Sequence, residues 1–379
     1  MELLQLKKIL IVVNSWHKVL TGGDYHILKV AQRWSRDTSI TYLLPRLAYS
    51  SAKKLLTGET IVVDSFLERE TSNILQVILL YCVRMGKVLV SPPPKDEYDV
   101  IIASNHWLID VLPAVYLQSK NPSCKLVAYW HGLAVKKSRL WWYVPRKIND
   151  MLSLMLLRRY FDLVFVSNQL VKDFLVAHRV DAQKIQFANY GTDPVPVDLD
   201  FREPLFDACY VGRLVKNKGI FDLVAIWKEV SSQIPDARLA IVGDGSGRGQ
   251  LIHSIDAAHL KKRVQLCGFV EESEKFRIMR RSKLFLMPSY ADDWGIAILE
   301  ALSCGLPAIT YDFPALRCIW DHDVTYVPAG DRKLFADAVL RFLHDPQLRS
   351  EFSRKGLKRS TRHVWASVAE HERDAIENL

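Results

Sequence analysis

Short apolar runs recur along the chain and alternate with stretches whose apolar residues return every three or four positions. In the first half the runs at 8–14, 40–44, 60–63, 87–90, 100–103, 125–130, 162–167 and 184–190 read as strands. In the second half the same reading falls on 207–212, 238–242, 264–266, 284–287 and 308–310. Several of these runs are apolar throughout their middle instead of alternating, which is the pattern of strands buried on both faces of a parallel sheet. Helical periodicity follows many of them, as at 25–34, 295–303 and 332–343, and near 364–378 at the end. Strand and helix in alternation predict an α/β fold with doubly wound parallel sheets. Gly305 and Pro307 are placed to stop the 295–303 helix, and the Pro-Val-Pro run at 194–196 has the character of a linker.

At 379 residues the chain is long for a single core, so two domains are expected. With 49% hydrophobic and 25% charged residues it reads as a globular protein. No uncharged apolar run is long enough to span a bilayer; residues 74–83 come nearest and are followed by Arg84 and Lys87. Lys7 and Lys8 lead straight into the first strand, unlike a secretory signal. The six cysteines are scattered without a Cys-x-x-Cys pair, as free thiols in a reducing compartment would be, and the histidines fall singly, so no metal site is expected. The formal charge of +9 suits nucleic acid, an anionic membrane surface or a phosphorylated small molecule. No nucleic-acid module is present, which leaves the membrane and the phosphate.

Residues 284–310 concentrate the chemistry. An apolar strand closes on Pro288-Ser289, a polar loop carries Asp292 and Asp293, and a helix from Gly295 carries Glu300. If that helix begins near Trp294, both carboxylates can face a ligand lying across its N-terminus, where free N–H groups favour phosphate. Pro-Ser, two acids, an aromatic–Gly pair and then Leu-Glu-Ala-Leu-x-x-Gly-x-Pro resembles the donor-site signature of family 4 retaining glycosyltransferases of the GT-B type. The family motif is Glu, seven residues, Glu. Glu300 matches it, whereas position 292 holds Asp in place of the usual Glu and position 294 Trp in place of Phe.

The resemblance implies two Rossmann-like domains facing across a cleft: 1–195 for the acceptor, 196–360 for the nucleotide sugar, and a helix at 361–379 returning to the first domain. It also implies roles. In Gly212-Arg213-Leu214, three residues, Lys218-Gly219, the cations Arg213 and Lys218 would hold the donor diphosphate as its charge develops. Glu300 would bind the ribose, Asp292 the sugar hydroxyls, and Gly295 and Ile296 would lie against the donor. Gly243 and Gly245 would line the nucleotide side, and Phe269 and Val270 would pack on the base. His131, after the 125–130 strand, would hydrogen-bond the sugar and orient the breaking bond, with His106 a second candidate. Gly22 and Gly23, an ordinary turn when taken alone, would let phosphate and acceptor approach. No metal and no cofactor beyond the nucleotide-diphosphate sugar is implied. The Asp-x-Asp triplets at 198–200 and 321–323 are poorly placed for a metal-dependent transferase of the GT-A type.

The expected activity is transfer of a hexose-type sugar to a glycan, lipid-linked or other hydroxyl acceptor. A hydrolysing sugar-nucleotide epimerase and an inactive nucleotide-sugar-binding protein remain open. Residues 136–160 surround Trp141 and Trp142 with cations and continue into an apolar helix ending in Arg158-Arg159. That composition suits a segment lying against anionic lipid at the cytoplasmic face of a membrane, and equally a core helix with a solvated basic loop.

Overall fold

The computed structural model describes residues 6–16, 20–65, 73–92, 98–133, 140–193 and 203–379. The expected linker at 194–198 and the triplet at 198–200 lie outside them. The chain divides into two compact units, one of residues 1–190 with 365–379 and one of residues 191–364.

The first unit runs β1 (Lys8–Val12), α1 (Gly22–Trp34), β2 (Ser39–Pro45), α2 (Arg46–Ala52), β3 (Glu59–Val63), α3 (Ile74–Val90), β4 (Val100–Ala103), α4 (Leu108–Gln118), β5 (Lys125–Trp130), α5 (Leu140–Tyr160), β6 (Leu163–Val166), α6 (Gln169–Ala177) and β7 (Ile185–Phe187). Among the described residues these strands form one seven-stranded parallel sheet in the order β3-β2-β1-β4-β5-β6-β7. Side chains such as Leu10, Val12, Ile101, Ala128 and Val164 are buried in its core, as the unbroken apolar runs require.

One expected strand is corrected. Residues 87–90 form the last turn of α3, not a strand. Asn73 caps this helix by accepting the Leu75 N–H (3.0 Å), and the helix then runs through Gly86 to Val90 without a break. A short apolar run cannot be told from a helix end by periodicity alone.

The second unit runs β8 (Ala208–Val211), α7 (Ile220–Gln233), β9 (Leu239–Val242), α8 (Arg248–Ala257), β10 (Val264–Gly268), α9 (Glu272–Arg280), β11 (Phe285–Met287), α10 (Ile296–Ser303), β12 (Ala308–Tyr311), α11 (Pro314–Trp320), β13 (Thr325–Val327), α12 (Arg332–His344) and α13 (Pro346–Ser360). Its described strands form a six-stranded parallel sheet, β10-β9-β8-β11-β12-β13. Both units are thus doubly wound Rossmann-like α/β sheets. The α10 helix stops where its sequence says: the Gly305 N–H donates to Leu302 O (3.0 Å) and the Leu306 N–H to Ala301 O (2.9 Å).

The last helix, α14 (Trp365–Glu377), packs on α1 of the first unit. Its Glu372 is wholly buried and accepts from the Tyr129 hydroxyl (2.6 Å), with His26 Nε2 at 2.9 Å. A carboxylate buried in this way is tolerated because both oxygens find partners. No helix among the described residues is long and apolar enough to cross a membrane.

Candidate functional site

In the second unit the connections lead outward in both directions from the β8–β11 pair, so the strand order reverses there. A parallel sheet leaves room for a ligand at such a point, outside the carboxyl ends of the strands. The loops that follow β8 and β11 flank it. Lys218, in the 3-10 turn Lys216–Lys218 ahead of α7, donates from Nζ to Asp292 Oδ2 (2.7 Å) and to Ala291 O (2.9 Å). Asp292 Oδ1 accepts the N–H groups of Gly295 (2.7 Å) and Trp294 (3.3 Å), so the same carboxylate also closes the start of α10. Burial works against its charge, but the Lys218 ammonium and the two N–H groups outweigh it and hold Asp292 below the usual carboxylate range. The two side chains stay 16% and 21% exposed, open enough for a ligand to reach. Arg213 is exposed, and its guanidinium makes no ion pair with any described residue. Its carbonyl accepts the Tyr210 hydroxyl (3.0 Å), which fixes the turn that presents it.

These loops are knitted backbone to backbone. The Tyr290 N–H donates to Asn217 O (2.9 Å), the Leu214 N–H to Asp244 O (2.9 Å), the Gly247 N–H to Leu214 O (2.8 Å) and the Gly243 N–H to Gly268 O (2.8 Å). Gly219 lies at φ +70°, and a Cβ there would sit 1.6 Å from Pro288 O. Between the loops after β8 and β9 a Cβ on Gly243 would come within 2.0 Å of Gly212 O, and one on Gly245 within 2.7 Å of Leu214 O. Glu300, one turn into α10 from Ile296, is buried and accepts Lys275 Nζ of α9 on Oε1 (2.7 Å).

In the first unit the reversal falls between β1 and β4. His131 follows β5. Its Nε2 lies 3.0 Å from Ser104 O, a pure acceptor, so Nε2 carries the proton and Nδ1 accepts the Tyr190 hydroxyl (2.9 Å). Burial, with His26 nearby, pushes its pKa down to about 3, so the ring is neutral. A Cβ on Gly23 would lie 2.7 Å from that ring, so glycine is what lets the start of α1 close against it. The loop between β1 and α1 is clamped from below. Arg84, fully buried on α3, donates to Asn14 O and Trp16 O (3.1 Å each), and Asp110 on α4 accepts the Ser15 N–H (2.8 Å) and Oγ–H (2.5 Å). His106 instead stacks on Trp130 (4.1 Å between centroids) with Asp150 Oδ1 at 3.4 Å, a buried packing residue.

Residues 196–359 match the sequence model of the family described as "Glycosyl transferases group 1". The second unit is a group 1 glycosyltransferase domain. Among curated relatives, the alpha-D-kanosaminyltransferase of Streptomyces kanamyceticus is 30% identical over 166 residues, 43% of this chain and 40% of that protein. The phosphatidylinositol N-acetylglucosaminyltransferase gpi3 subunit of Schizosaccharomyces pombe is 26% identical over 194 residues, 50% of this chain and 41% of that one. The chain thus spans less than half the length of these relatives. Among solved structures, Anabaena HepE in complex with UDP and glucose superposes with a TM-score of 0.75 at 16% identity, over 98% of this chain and 100% of that one. The likeness extends the GT-B fold to both units.

Of the residues singled out in the glycosyltransferase motifs, the structure brings Gly212, Arg213, Lys218, Gly243, Gly245, Asp292, Gly295 and Ile296 together around one pair of strand ends. Glu300 lies further along α10. Phe269 follows Gly268 and is 82% exposed, while Val270 lines a groove of about 310 Å³ beside α9 with Phe206, Cys267 and Ile278. Sequence reasoning missed Lys275, Arg84, Ser15 and Asp110. Lys275 sits in a highly charged run, acids before it and bases after, that reads as a solvated face, and Arg84 reads only as an interruption of an apolar stretch.

Two buried groups of the first unit give stability opposite pH slopes. His131, at about 3, resists a proton that the unfolded imidazole takes up, so its contribution is full above about pH 6.5 and is lost as pH falls towards 3. Asp110, pushed up to about 8 by burial, keeps a proton that the unfolded carboxyl releases. Its contribution is full below about pH 4 and is lost as pH rises to 8. Denaturant unfolding across this range is expected to show His131→Asn removing a rising slope and Asp110→Asn a falling one. Slopes unchanged from wild type would refute both assignments.

Proposed function

We propose that the chain is a retaining, metal-independent glycosyltransferase that moves a hexose from a nucleoside-diphosphate sugar to a hydroxyl of a glycan or lipid-linked acceptor. The observation that carries this reading is the Lys218 ammonium, held at 2.7 Å by Asp292, with the exposed Arg213 presented by the same β8 loop at the strand reversal. Breaking the bond between the sugar and the diphosphate leaves negative charge on phosphate oxygen. The held Lys218 and the nearby Arg213 stabilise that charge where it develops, and no protein nucleophile or metal is required of the step. Lys218 has three N–H donors and uses two within the described residues, which leaves one for a phosphate oxygen. Arg213 adds a planar fork suited to two phosphate oxygens.

Asp292 is assigned the sugar hydroxyls, which would share its oxygens with Lys218 and the α10 cap. Glu300 is assigned the ribose, with Lys275 holding one of its oxygens in place. His131 is a neutral donor to the sugar that must share its N–H with Ser104 O, and the Gly22–Gly23 turn is assigned to the acceptor. HepE was solved with UDP and glucose, which makes UDP-glucose the first donor to test. The S. pombe relative's name supports a lipid-linked acceptor. One observation favours a second reading, nucleotide-sugar binding without turnover: both oxygens of Asp292 already have protein partners.

The deciding experiment incubates the protein with a panel of nucleotide sugars and of glycan and lipid-linked acceptors carrying a free hydroxyl, with and without EDTA, and reads donor binding, nucleoside diphosphate release and the anomeric configuration of the glycoside formed by NMR. The expected result is chelator-insensitive release, with the donor's configuration kept in the product. Inverted product would overturn retention, and loss of release with EDTA would overturn metal independence. Binding without release would favour the second reading. No binding to any donor by folded protein would sink the donor site.

A further inference from the structure

Ten of the sixteen exposed large apolar side chains among the described residues lie on just two helices, α3 and α5. On α5, Val144, Ile148, Met151, Leu152 and Met155 are all exposed, between 37% and 58%. Their spacing of i, i+4, i+7, i+8 and i+11 puts them on one face, away from the buried Leu154 and Leu157 that join the core. On α3, Leu75, Ile78, Leu79 and Val90 are exposed, Leu75 by 72% and Val90 by 87%. Both helices pack against α4. The connections β3–β4, β4–β5 and β5–β6 all run the same way across the sheet, so the right-handed crossover rule puts α3, α4 and α5 on the same side of it.

The charges on these faces have one sign. Lys147, Arg158 and Arg159 are exposed beside the apolar residues of α5. The helix's one acid, Asp150, is buried against His106. The α3 helix contains no Asp or Glu, and its exposed charge is Lys87. An ordinary solvated helix face carries both signs and few large apolar groups. Apolar residues rimmed by cations and free of acids match the headgroup boundary of a bilayer with anionic lipid.

We propose that the outer faces of α3 and α5 form a docking surface for an anionic membrane, on which the first unit lies without spanning it. The proposal rests on the transferase reading for its purpose, because a lipid-linked acceptor is presented at such a surface. Apolar insertion holds the protein once it arrives, and the cations add a salt-dependent attraction worth about fivefold in affinity for each one.

The test is flotation of the full chain with vesicles of phosphatidylcholine alone and of phosphatidylcholine mixed with phosphatidylglycerol, without nucleotide. Strong flotation is expected only with the anionic vesicles, reduced but not abolished by salt. Arg158→Gln with Arg159→Gln is expected to weaken it by about fivefold per charge. Ile148→Glu with Met151→Glu, and separately Leu75→Glu with Leu79→Glu, are expected to lower it by at least about tenfold, because a carboxylate must then enter the headgroup boundary. All these positions are exposed, so the unfolding temperature and nucleotide-sugar binding in the absence of lipid should match wild type. That second measurement separates failure of the surface from failure of the donor site. Folded protein that ignores anionic vesicles, or variants that float as wild type does, would overturn the proposal. So would a dimer that the α5 variant dissociates, with no vesicle binding by the monomer, since the face would then be an interface between copies.

Discussion

Replacing Lys218 by methionine is expected to lower nucleoside diphosphate release from the nucleotide sugar by about 10³-fold. The length and apolar stem of the side chain are kept and its charge is lost. In the protein without ligand, that charge is positioned by Asp292 Oδ2 at 2.7 Å and Ala291 O at 2.9 Å, so it needs no reorganisation as negative charge forms on the leaving group. Fixed donors aimed at developing charge matter more in the transition state than in the bound ground state. The loss should therefore fall mainly on kcat and much less on donor affinity. Lys218→Arg is expected to recover part of it, because the cation remains while its geometry changes. Initial rates and donor titrations of the three proteins check this. A methionine variant that releases diphosphate at the wild-type rate would remove Lys218 from the chemistry, and Arg213 would then stand as the main cation.

Gly219→Ala is expected to destabilise the second unit by about 4 kcal/mol, roughly 10 °C in its unfolding midpoint. The backbone there is left-handed at φ +70°, which alone costs an L-residue about 1 kcal/mol. The added methyl would also sit 1.6 Å from Pro288 O, a backbone atom that cannot rotate aside. Relief requires the β8 and β11 loops to move apart, and those loops carry Lys218 and Asp292. A structurally neutral comparison is available in Gly249→Ala, in α8, where the new methyl meets nothing within 4 Å. Helix propensity predicts a slight gain there, of about 0.5–1 kcal/mol. Thermal and denaturant unfolding of both variants decide the point. Equal midpoints would mean that the two loops are not held by this contact.

The parallel-sheet strands were legible because a strand covered on both faces must be apolar along its whole length, as in residues 9–12, 100–103 and 163–166. The 284–310 unit was legible for a different reason. A strand, a loop with an acid and a helix stopped by Gly305 are set by neighbours in sequence, and the structure builds them with the Asp292 and Gly305 hydrogen bonds in place. The 87–90 run misled because three apolar residues after Lys87 fit a strand or the end of a helix, and the cap that decides the matter, Asn73, lies well upstream. Arg84 and Asp110 gave no sign of their role, since each holds a backbone segment some 70 or 95 positions away.

The sequence by itself determined two doubly wound α/β units, the loops after strands that carry His131, Arg213, Lys218 and Asp292, and the cations that a diphosphate would need. Those follow from local periodicity, turn chemistry and the direction of parallel strands, which all act over a few residues. Only the tertiary structure decided what each of these groups holds before a ligand arrives. Asp292 takes Lys218, Glu300 takes Lys275, and His131 has both ring nitrogens engaged. It also decided that one face of α5 lies open, where composition had suited a lipid contact and a core helix equally. Partners far apart in sequence are chosen by how sheets and helices pack, and hydrogen-bonding capacity is then filled by whatever packing brings within about 3 Å.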